Sequence, residues 1–164
     1  MRPSGAALLL SQVGGHVQQR FAERVGELGL TPPQVAVLRT VAAEPGLNQQ
    51  AVAARLGVAP STVVQLVDEL ERRGLVVRRR AAHDRRSQEL TLSADAADEL
   101  RRVRDVVARH DRDVTAALAP DEVAQLVGLL TRIAEQQGLA PAVPPVPGGP
   151  RGAGGPLTPG GTPR

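Results

Sequence analysis

The stretch that decides the fold is residues 57–93, which read GVAPSTVVQLVDELERRGLVVRRRAAHDRRSQELTLS. Its first three residues predict a turn into a helix that begins at Pro60, because proline is favoured at the first helical position. Gly74, with Leu75 behind it, ends that helix in the way that a Schellman motif prefers. The buried face predicted from helical spacing comprises Val63, Leu66, Val67 and Leu70.

The residues that follow this helix predict a two-stranded wing. Residues 75–80 form a short strand, residues 81–87 a polar loop, and residues 89–92 alternate as a half-buried strand does. A helix at residues 49–56 precedes the three-residue turn, a pattern that helical hairpins of many functions share. The added hairpin makes the predicted fold class mainly α, a winged helix-turn-helix with a two-stranded β wing.

Two further helices precede this unit. The first covers residues 6–28. Thr31-Pro32-Pro33-Gln34 is a capping box, with proline at the first helical position and glutamine three residues after the N-cap. The second helix therefore begins at Pro32, and Pro45-Gly46 ends it. Its predicted buried face comprises Val35, Leu38, Val41 and Ala42.

After the wing, two helices carry apolar stripes with heptad spacing. Ser93 is a favoured N-cap and begins the long helix, Pro120 opens the last one, and Gly138 ends it. The two stripes comprise Ala96, Leu100, Val103, Val107, His110 and Val114, and then Val123, Leu126, Leu130 and Ile133. Because such stripes need another helix to cover them, we predict a helical dimerisation module made from the terminal helices.

The chain divides into one folded domain and a tail. Residues 138–164 contain eight glycines and eight prolines, a composition that cannot bury a core, so we predict a disordered tail. The domain then spans residues 1–137. Its winged-helix core covers about 31–92, and its dimerisation helices cover about 6–28 and 93–137.

The amino-acid composition excludes several classes of site and favours one class of nucleic acid. The chain has no cysteine, which excludes disulfides, thiolate metal sites and cysteine nucleophiles and favours the cytoplasm. The apolar run at residues 6–10 is too short for a membrane span. All 20 basic residues are arginine, either because arginine grips phosphate or because of coding bias. Phe21 is the only aromatic residue, so the stacking platforms for single strands are missing and duplex DNA fits better.

Short polar side chains on the helix that begins at Pro60 could meet base edges of DNA. They lie opposite the apolar face, and small groups at a helix N-terminus allow close approach to a groove. An alternative is that Ser61 and Thr62 only satisfy free backbone donors of the first turn. The candidates on this helix and at the start of the one before it are Asn48, Gln49, Pro60, Ser61, Thr62, Gln65 and Arg72.

The wing concentrates positive charge. Five arginines fall within nine residues, Arg78, Arg79, Arg80, Arg85 and Arg86. Arginine at a hairpin tip can enter a narrow minor groove, while strand arginines can hold the flanking phosphates. Asp84 could orient one guanidinium by a bidentate pair, or it could bond its own backbone in a type I turn.

The run from Ser61 to Val76, then Asp84-Arg85-Arg86-Ser87, then Leu90-Thr91-Leu92-Ser93 resembles the MarR family of bacterial regulators over residues 6–137. The resemblance implies that the helix at 60–73 enters the major groove, that Arg86 enters the minor groove, and that Asp84 positions it. With Arg86 in the groove, we expect Arg85 to contact a phosphate.

The resemblance also implies a homodimer whose first, fifth and sixth helices interlock. Two recognition helices would then meet major grooves roughly 34 Å apart on a pseudo-palindromic operator, most simply as a repressor. The sequence departs from the family at Ala59, where a capping side chain is usual, and at Gln65, where arginine often reads a base.

Many members of that family hold a small aromatic or anionic effector in a cleft lined by the first, second and fifth helices. The candidate partners of such an effector are His16, Arg20, Arg39 and His110. For His110 the alternative is a histidine packed in the interface, and Arg20 and Arg39 could equally be exposed charges.

An enzyme is not indicated. His16, His83 and His110 fall in separate segments without metal-ligand spacing, and no glycine-rich phosphate loop follows a strand, so we expect no metal and no cofactor. The alternative to a DNA-binding regulator is a winged helix that binds an acidic protein partner through its basic wing, without sequence-specific DNA binding.

Overall fold

Six helices and one antiparallel hairpin make up the described part of the chain, residues 5–80 and 88–139 of the computed structural model. The helices are α1 (Ala6–Gly26), α2 (Pro32–Ala43), α3 (Gln49–Leu56), α4 (Pro60–Arg72), α5 (Ala96–Val114) and α6 (Pro120–Gln136). The strands are β1 (Val76–Arg80) and β2 (Gln88–Leu92). This order confirms the predicted winged helix-turn-helix.

Local sequence signals set most helix ends. Thr31 and Gln34 form the predicted capping box, in which Gln34 Oε1 accepts the Thr31 N–H at 2.9 Å and Thr31 Oγ1 accepts the Gln34 N–H at 3.4 Å. Gly74 adopts a φ of 69°, and the Leu75 N–H donates to the Leu70 carbonyl at 2.9 Å. Only a residue without Cβ adopts this φ readily, so α4 ends at the predicted stop.

The prediction that Ser93 caps the fifth helix is wrong. Helix α5 begins at Ala96, and its N-cap, Asp95, makes no side-chain capping bond. Ser93 Oγ instead donates to the Gly74 carbonyl at 2.5 Å, and the Ser93 N–H donates to the Leu75 carbonyl at 3.1 Å. Ser93 therefore joins the end of the wing to the end of α4.

The hydrophobic core surrounds α2. Val35, Leu38 and Val41 are buried as predicted, and Val37, on another side of the helix, is buried as completely. Val37 is buried because α1, α3, α4, α5 and β2 all pack on α2. The buried apolar residues outside α2 are Val25, Leu30, Val52, Ala53, Val63, Val67, Leu70, Leu75, Val76, Leu90, Ala96, Leu100, Val103 and Val106.

The stripe on α5 is covered within the chain, mainly by α1 and α2. Its predicted members Ala96, Leu100, Val103 and His110 are buried. Val106 is buried where Val107 was expected, and Val107 is only half-buried. Val114 is 43% exposed, so the stripe leaves the core before the helix ends.

Helix α6 and the first half of α1 present apolar side chains to solvent. Within the described chain, α6 buries none of its residues. The exposed apolar residues on these two helices, here called the terminal apolar face, are Leu8, Leu9, Leu10, Val13, Val127, Leu129, Leu130 and Ile133. None of the described helices is long and apolar enough to cross a bilayer. Residues 140–164, most of the predicted disordered tail, lie outside the described residues, and its disorder stays a prediction.

Two joints hold α4 in place. Arg73, just after the helix, donates to the Gly29 carbonyl at 2.5 Å and to the Leu28 carbonyl at 3.1 Å, in the turn between α1 and α2. Glu69 accepts a hydrogen bond from Gln34 Nε2 at 2.7 Å. Helix α4 is thus tied to the helices on both sides of that turn.

The wing is fastened to the loop between α2 and α3. The Gly46 N–H donates to the Leu90 carbonyl at 3.0 Å, and the Leu90 N–H donates to the Leu47 carbonyl at 2.8 Å. Gly46 has a φ of 93°, which favours glycine here. Strand β2 therefore pairs with β1 on one side and with this loop on the other.

Candidate nucleic-acid interface

Helix α4 exposes polar groups at its N-terminal end. Val63, Val67 and Leu70 are buried, which turns Ser61, Thr62 and Gln65 to solvent. The hydroxyls of Ser61 and Thr62 make no hydrogen bond to any residue that the structure describes. The alternative, that they serve only to satisfy the first turn, is therefore not observed.

The backbone explains why this end stays open. Ala59 is the N-cap, with φ −65° and ψ 141°, and offers no side-chain acceptor. Pro60 has no N–H, and the Thr62 N–H reaches the Ala59 carbonyl at 3.0 Å. The Ser61 N–H and the two hydroxyls therefore lie at the positive end of the helix without a hydrogen-bond partner among the described residues.

Two predicted residues at the start of α3 have structural partners. Asn48 is the N-cap of α3, and its Oδ1 accepts the Ala51 N–H at 2.8 Å. The half-buried Gln49 satisfies its neighbours when its amide oxygen faces Arg78, accepting from Nε at 3.0 Å and from Nη2 at 2.8 Å. Asn48 remains exposed, whereas Gln49 points toward the wing.

The sequence predicts that Arg78 holds a phosphate, but in the structure Arg78 lies beside two carboxylates of the protein itself. Its guanidinium forms ion pairs with Asp68 and Glu71 of α4, and its side chain is only 18% exposed. Burial alone would lower the pKa of Arg78, but hydrogen bonds and charge interactions with the two carboxylates outweigh burial and raise that pKa above its usual value. Arg78 thus connects β1 to α4 and is not presented to solvent.

The next two strand arginines are presented to solvent. Arg79 and Arg80 are exposed, and neither forms an ion pair with any residue in 5–80 or 88–139. Arg72, at the end of α4, is also exposed, and its Nε donates to the Asp68 carbonyl at 3.4 Å. Arg72, Arg79 and Arg80 therefore lie around the joint between helix and wing with no ion pair to any described residue.

The exposed side of α4 and the wing are adjacent. Gln65, Asp68 and Arg72 are spaced three and four residues apart, so they share one side of the helix. Arg78 holds Asp68, which brings the base of the wing beside that side. The predicted wing-tip residues Asp84, Arg85, Arg86 and Ser87 lie outside the described residues, and their roles stay predictions.

The four candidate effector residues gather around His110. His16, Arg20 and His110 line a cleft of about 470 Å³ between α1 and α5. Arg39 and His110 line a second cleft of about 300 Å³, with Phe21 in its wall. His110 is therefore common to both clefts.

His110 is buried with one ring nitrogen in use. Its Nδ1 lies 3.4 Å from Nη1 of Arg24, and its Nε2 is buried without a hydrogen-bond partner among the described residues. Its ring centroid lies 5.3 Å from that of Phe21. Burial, and then the charge of Arg24, lower the pKa of His110, which favours the neutral ring.

Sequence reasoning missed two residues of this cleft. Arg24 pairs with Asp113 at 2.6 Å, and both side chains line the cleft beside His110. The missed signal was the spacing of His16, Arg20 and Arg24, which places all three on one face of α1.

The chain is similar to known transcriptional regulators. The model of the MarR family matches residues 28–87. A transcriptional regulatory protein for the hcr operon of Thauera aromatica is 37% identical over 114 residues, which cover 70% of this chain and 69% of that protein.

Two solved structures extend the similarity to the fold. The transcriptional repressor CouR, bound to a 23-mer DNA duplex, is 36% identical with a TM-score of 0.73, and the match covers 79% of this chain and 92% of that one. The PcaV regulator of Streptomyces coelicolor, in complex with its natural ligand, is 32% identical with a TM-score of 0.67, covering 84% and 99%.

Proposed function

The chain belongs to the MarR family of transcriptional regulators, and from that membership we propose that it represses transcription by binding double-stranded DNA of defined sequence. It acts in the cytoplasm, where that DNA lies. The folded domain that binds DNA spans residues 1–137.

One observation carries this proposal: the exposed polar end of α4 lies on a helix whose exposed side adjoins the arginine-bearing wing. Ser61, Thr62 and Gln65 are free to meet base edges in the major groove. Arg79 and Arg80, exposed and without an ion pair to any described residue, hold phosphates beside it. The structure of the repressor CouR bound to a DNA duplex supports the same use of this fold.

A second copy of the chain covers the terminal apolar face. Leu8, Val13 and Val127 are each more than half exposed, a state that a lone folded chain rarely keeps over two helices. Packing of α1 and α6 against their counterparts removes this surface from water. A two-fold dimer then presents two α4 helices to a pseudo-palindrome with half-sites roughly 34 Å apart.

Selection of bound duplexes from a random library, followed by footprinting, tests the proposal. We expect a palindromic consensus that also occurs beside the protein's own gene. Arg86→Ala should weaken binding sharply while the dimer stays intact, because Arg86 is assigned to the minor groove. Arg132→Ala on α6 removes the same charge away from the wing and should leave affinity unchanged. Recovery of no consensus would instead support a protein-binding winged helix.

We further propose that a small anionic or phenolic ligand binds beside His110 and releases the DNA. The neutral ring, whose Nε2 has no hydrogen-bond partner among the described residues, can bond a phenol or carboxyl group, and Arg20 supplies positive charge. The structure of PcaV with its natural ligand supports a ligand site in this fold.

Phenols and aromatic carboxylates, screened by thermal unfolding and by release of the selected duplex, test this second step. A true effector should raise the melting temperature of the free protein and lower its DNA affinity. His110→Gln should abolish both effects, whereas Arg132→Ala should keep them. A panel that produces neither effect would count against ligand control.

A further inference from the structure

We propose that Arg78 is a positioning residue that braces the wing against the recognition helix and does not itself contact DNA. The inference rests on the proposed DNA binding. It removes one of the five wing arginines from the set of expected DNA contacts, because Arg78 is assigned to the protein's own carboxylates.

The donors of Arg78 are already used. Nη1 donates to Glu71 and Nη2 to Asp68. With the Gln49 amide turned so that its oxygen faces Arg78, Nε and Nη2 also donate to that oxygen, at 3.0 and 2.8 Å. A guanidinium has five N–H groups, so these contacts leave one, too few for the bidentate grip that arginine makes on phosphate.

The backbone of Arg78 joins the same contact. Its N–H donates to the second Glu71 oxygen at 3.4 Å. One residue of β1 therefore binds α4 through both main chain and side chain, and binds the start of α3 through Gln49. These contacts attach the wing to both helices of the helix-turn-helix.

Strand geometry separates Arg78 from its neighbour. Successive side chains of a strand point to opposite faces, so Arg78 faces α4 while Arg79 faces away. Arg78 is only 18% exposed in its side chain, whereas Arg79 is an exposed residue. Two adjacent arginines thus have different roles, and Arg79 is a matched control.

The contacts of Arg78 with Asp68, Glu71 and Gln49 are here called the brace. The brace also changes the charge beside DNA. Asp68 and Glu71 are 53% and 40% exposed, and Asp68 shares a side of α4 with Gln65 and Arg72. Unpaired carboxylates at that position would repel phosphates. Arg78 cancels part of this charge and holds both acids toward the wing.

A double-mutant cycle with the wing tip tests the brace. Binding of the selected duplex is measured for wild type, Arg78→Met, Arg86→Ala and the double variant, with Arg79→Met replacing Arg78→Met in a parallel cycle. If Arg78 acts by placing the wing, the loss from Arg78→Met should be at least threefold smaller in the Arg86→Ala background than in the wild type, because only the repulsion from the released Asp68 and Glu71 remains there. The losses from Arg79→Met and Arg86→Ala should multiply.

Arg78→Lys supplies a second readout if the methionine variant folds poorly. Lysine keeps the charge that a phosphate contact needs but cannot engage three acceptors in one plane. We expect Arg78→Lys to bind DNA at least tenfold more weakly than wild type. Hydrogen exchange of β1 and β2 in the free protein should rise in this variant and stay unchanged in Arg79→Met.

The outcomes separate this inference from the function on which it rests. Selective binding by wild type, with Arg78→Lys equal to wild type or with multiplicative losses from Arg78→Met and Arg86→Ala, overturns the brace alone. Failure of wild type to select any duplex overturns the DNA-binding proposal and the brace with it. Faster exchange together with a non-multiplicative cycle supports the brace.

Discussion

The uncapped start of α4 allows one residue to alter stability and DNA binding in opposite directions. Ala59 has N-cap backbone angles but no acceptor, whereas Asn48, the corresponding residue of α3, accepts the Ala51 N–H at 2.8 Å. In Ala59→Ser and Ala59→Asp the new oxygen should accept the Ser61 N–H, which has no partner among the described residues, or share the Thr62 N–H, which already donates to the Ala59 carbonyl. A cap of this kind stabilises a helix by about 1 kcal/mol.

The two variants should differ in DNA affinity. Ala59→Asp adds a negative charge at the end of α4 assigned to the major groove. At about 6 Å from one phosphate, with an effective dielectric constant of roughly 20 to 80, the repulsion is roughly 0.7 to 2.8 kcal/mol, a loss of about three- to one-hundredfold. Ala59→Ser carries no charge and should bind within about threefold of wild type.

The assays follow from the composition. The chain has no Trp or Tyr, so urea unfolding is followed by far-ultraviolet circular dichroism, at one protomer concentration because dimer stability depends on it. Affinity is measured by anisotropy of the labelled duplex. Ala119→Asp is the control: it adds the same charge to α6, which also has Pro at its first position and no side-chain N-cap.

We expect Ala119→Asp to stabilise the fold and leave DNA affinity unchanged. Equal affinities of Ala59→Asp and wild type would refute the placement of the α4 N-terminus against DNA. A failure of Ala59→Ser to stabilise the protein would refute the capping argument independently.

Three further predictions concern folding. Leu70→Ala empties a fully buried site on α4 and should lower the unfolding free energy by about 2–5 kcal/mol in urea titrations, while the half-buried Leu66→Ala should lower it less. Gly74→Ala places a Cβ at φ 69°, where nothing lies within 4 Å, so backbone conformation alone should cost about 1–2 kcal/mol; Gly128→Ala within α6 should not destabilise the fold. Because burial, and then the charge of Arg24, hold the folded pKa of His110 below its ordinary value of about 6.5, the unfolded chain binds more protons, and stability should fall as pH drops from about 6.5 through the lowered pKa. Unfolding at pH 7.5 and 5 should show a smaller difference in His110→Gln, and an unchanged difference would contradict the assignment.

The helix boundaries marked by proline or glycine were predictable because they depend on local chemistry. Pro32, Pro60 and Pro120 each stand at the first position of a helix, and Gly74 adopts the positive φ that ends α4. Proline and glycine restrict the backbone whatever surrounds them, so sequence alone was sufficient at these points.

Features set by tertiary contacts were not predictable. Ser93 has the chemistry of an N-cap, but the Gly74 carbonyl competes for its hydroxyl. Val37 lies off the predicted face of α2, yet it is buried because packed elements surround that helix. The sequence shows an apolar stripe and a residue able to cap a helix, but it does not show which other elements pack against them in the folded chain.

The candidate interface was predictable in its location but not in the division of its charges. The sequence places Arg78 and Arg79 side by side as equal cations, and only the structure shows Asp68 and Glu71 beside the first. Alternation along β1 could have indicated that the two point in opposite directions. Which of them faces α4 depends on how the hairpin packs.

Strand β2 is hydrogen-bonded to β1 on one side and to the loop between α2 and α3 on the other, and this has a consequence for aggregation. A hairpin with unpaired edges is a template onto which strands of other molecules can add, and a regulator must expose its hairpin to reach DNA. Here the β2 edge is closed at Leu90 by Gly46 and Leu47, and the outer N–H of β1 at Arg78 is taken by Glu71. The exposed arginines add like-charge repulsion between copies. The wing can therefore protrude toward a groove without recruiting strands from its neighbours into a growing sheet.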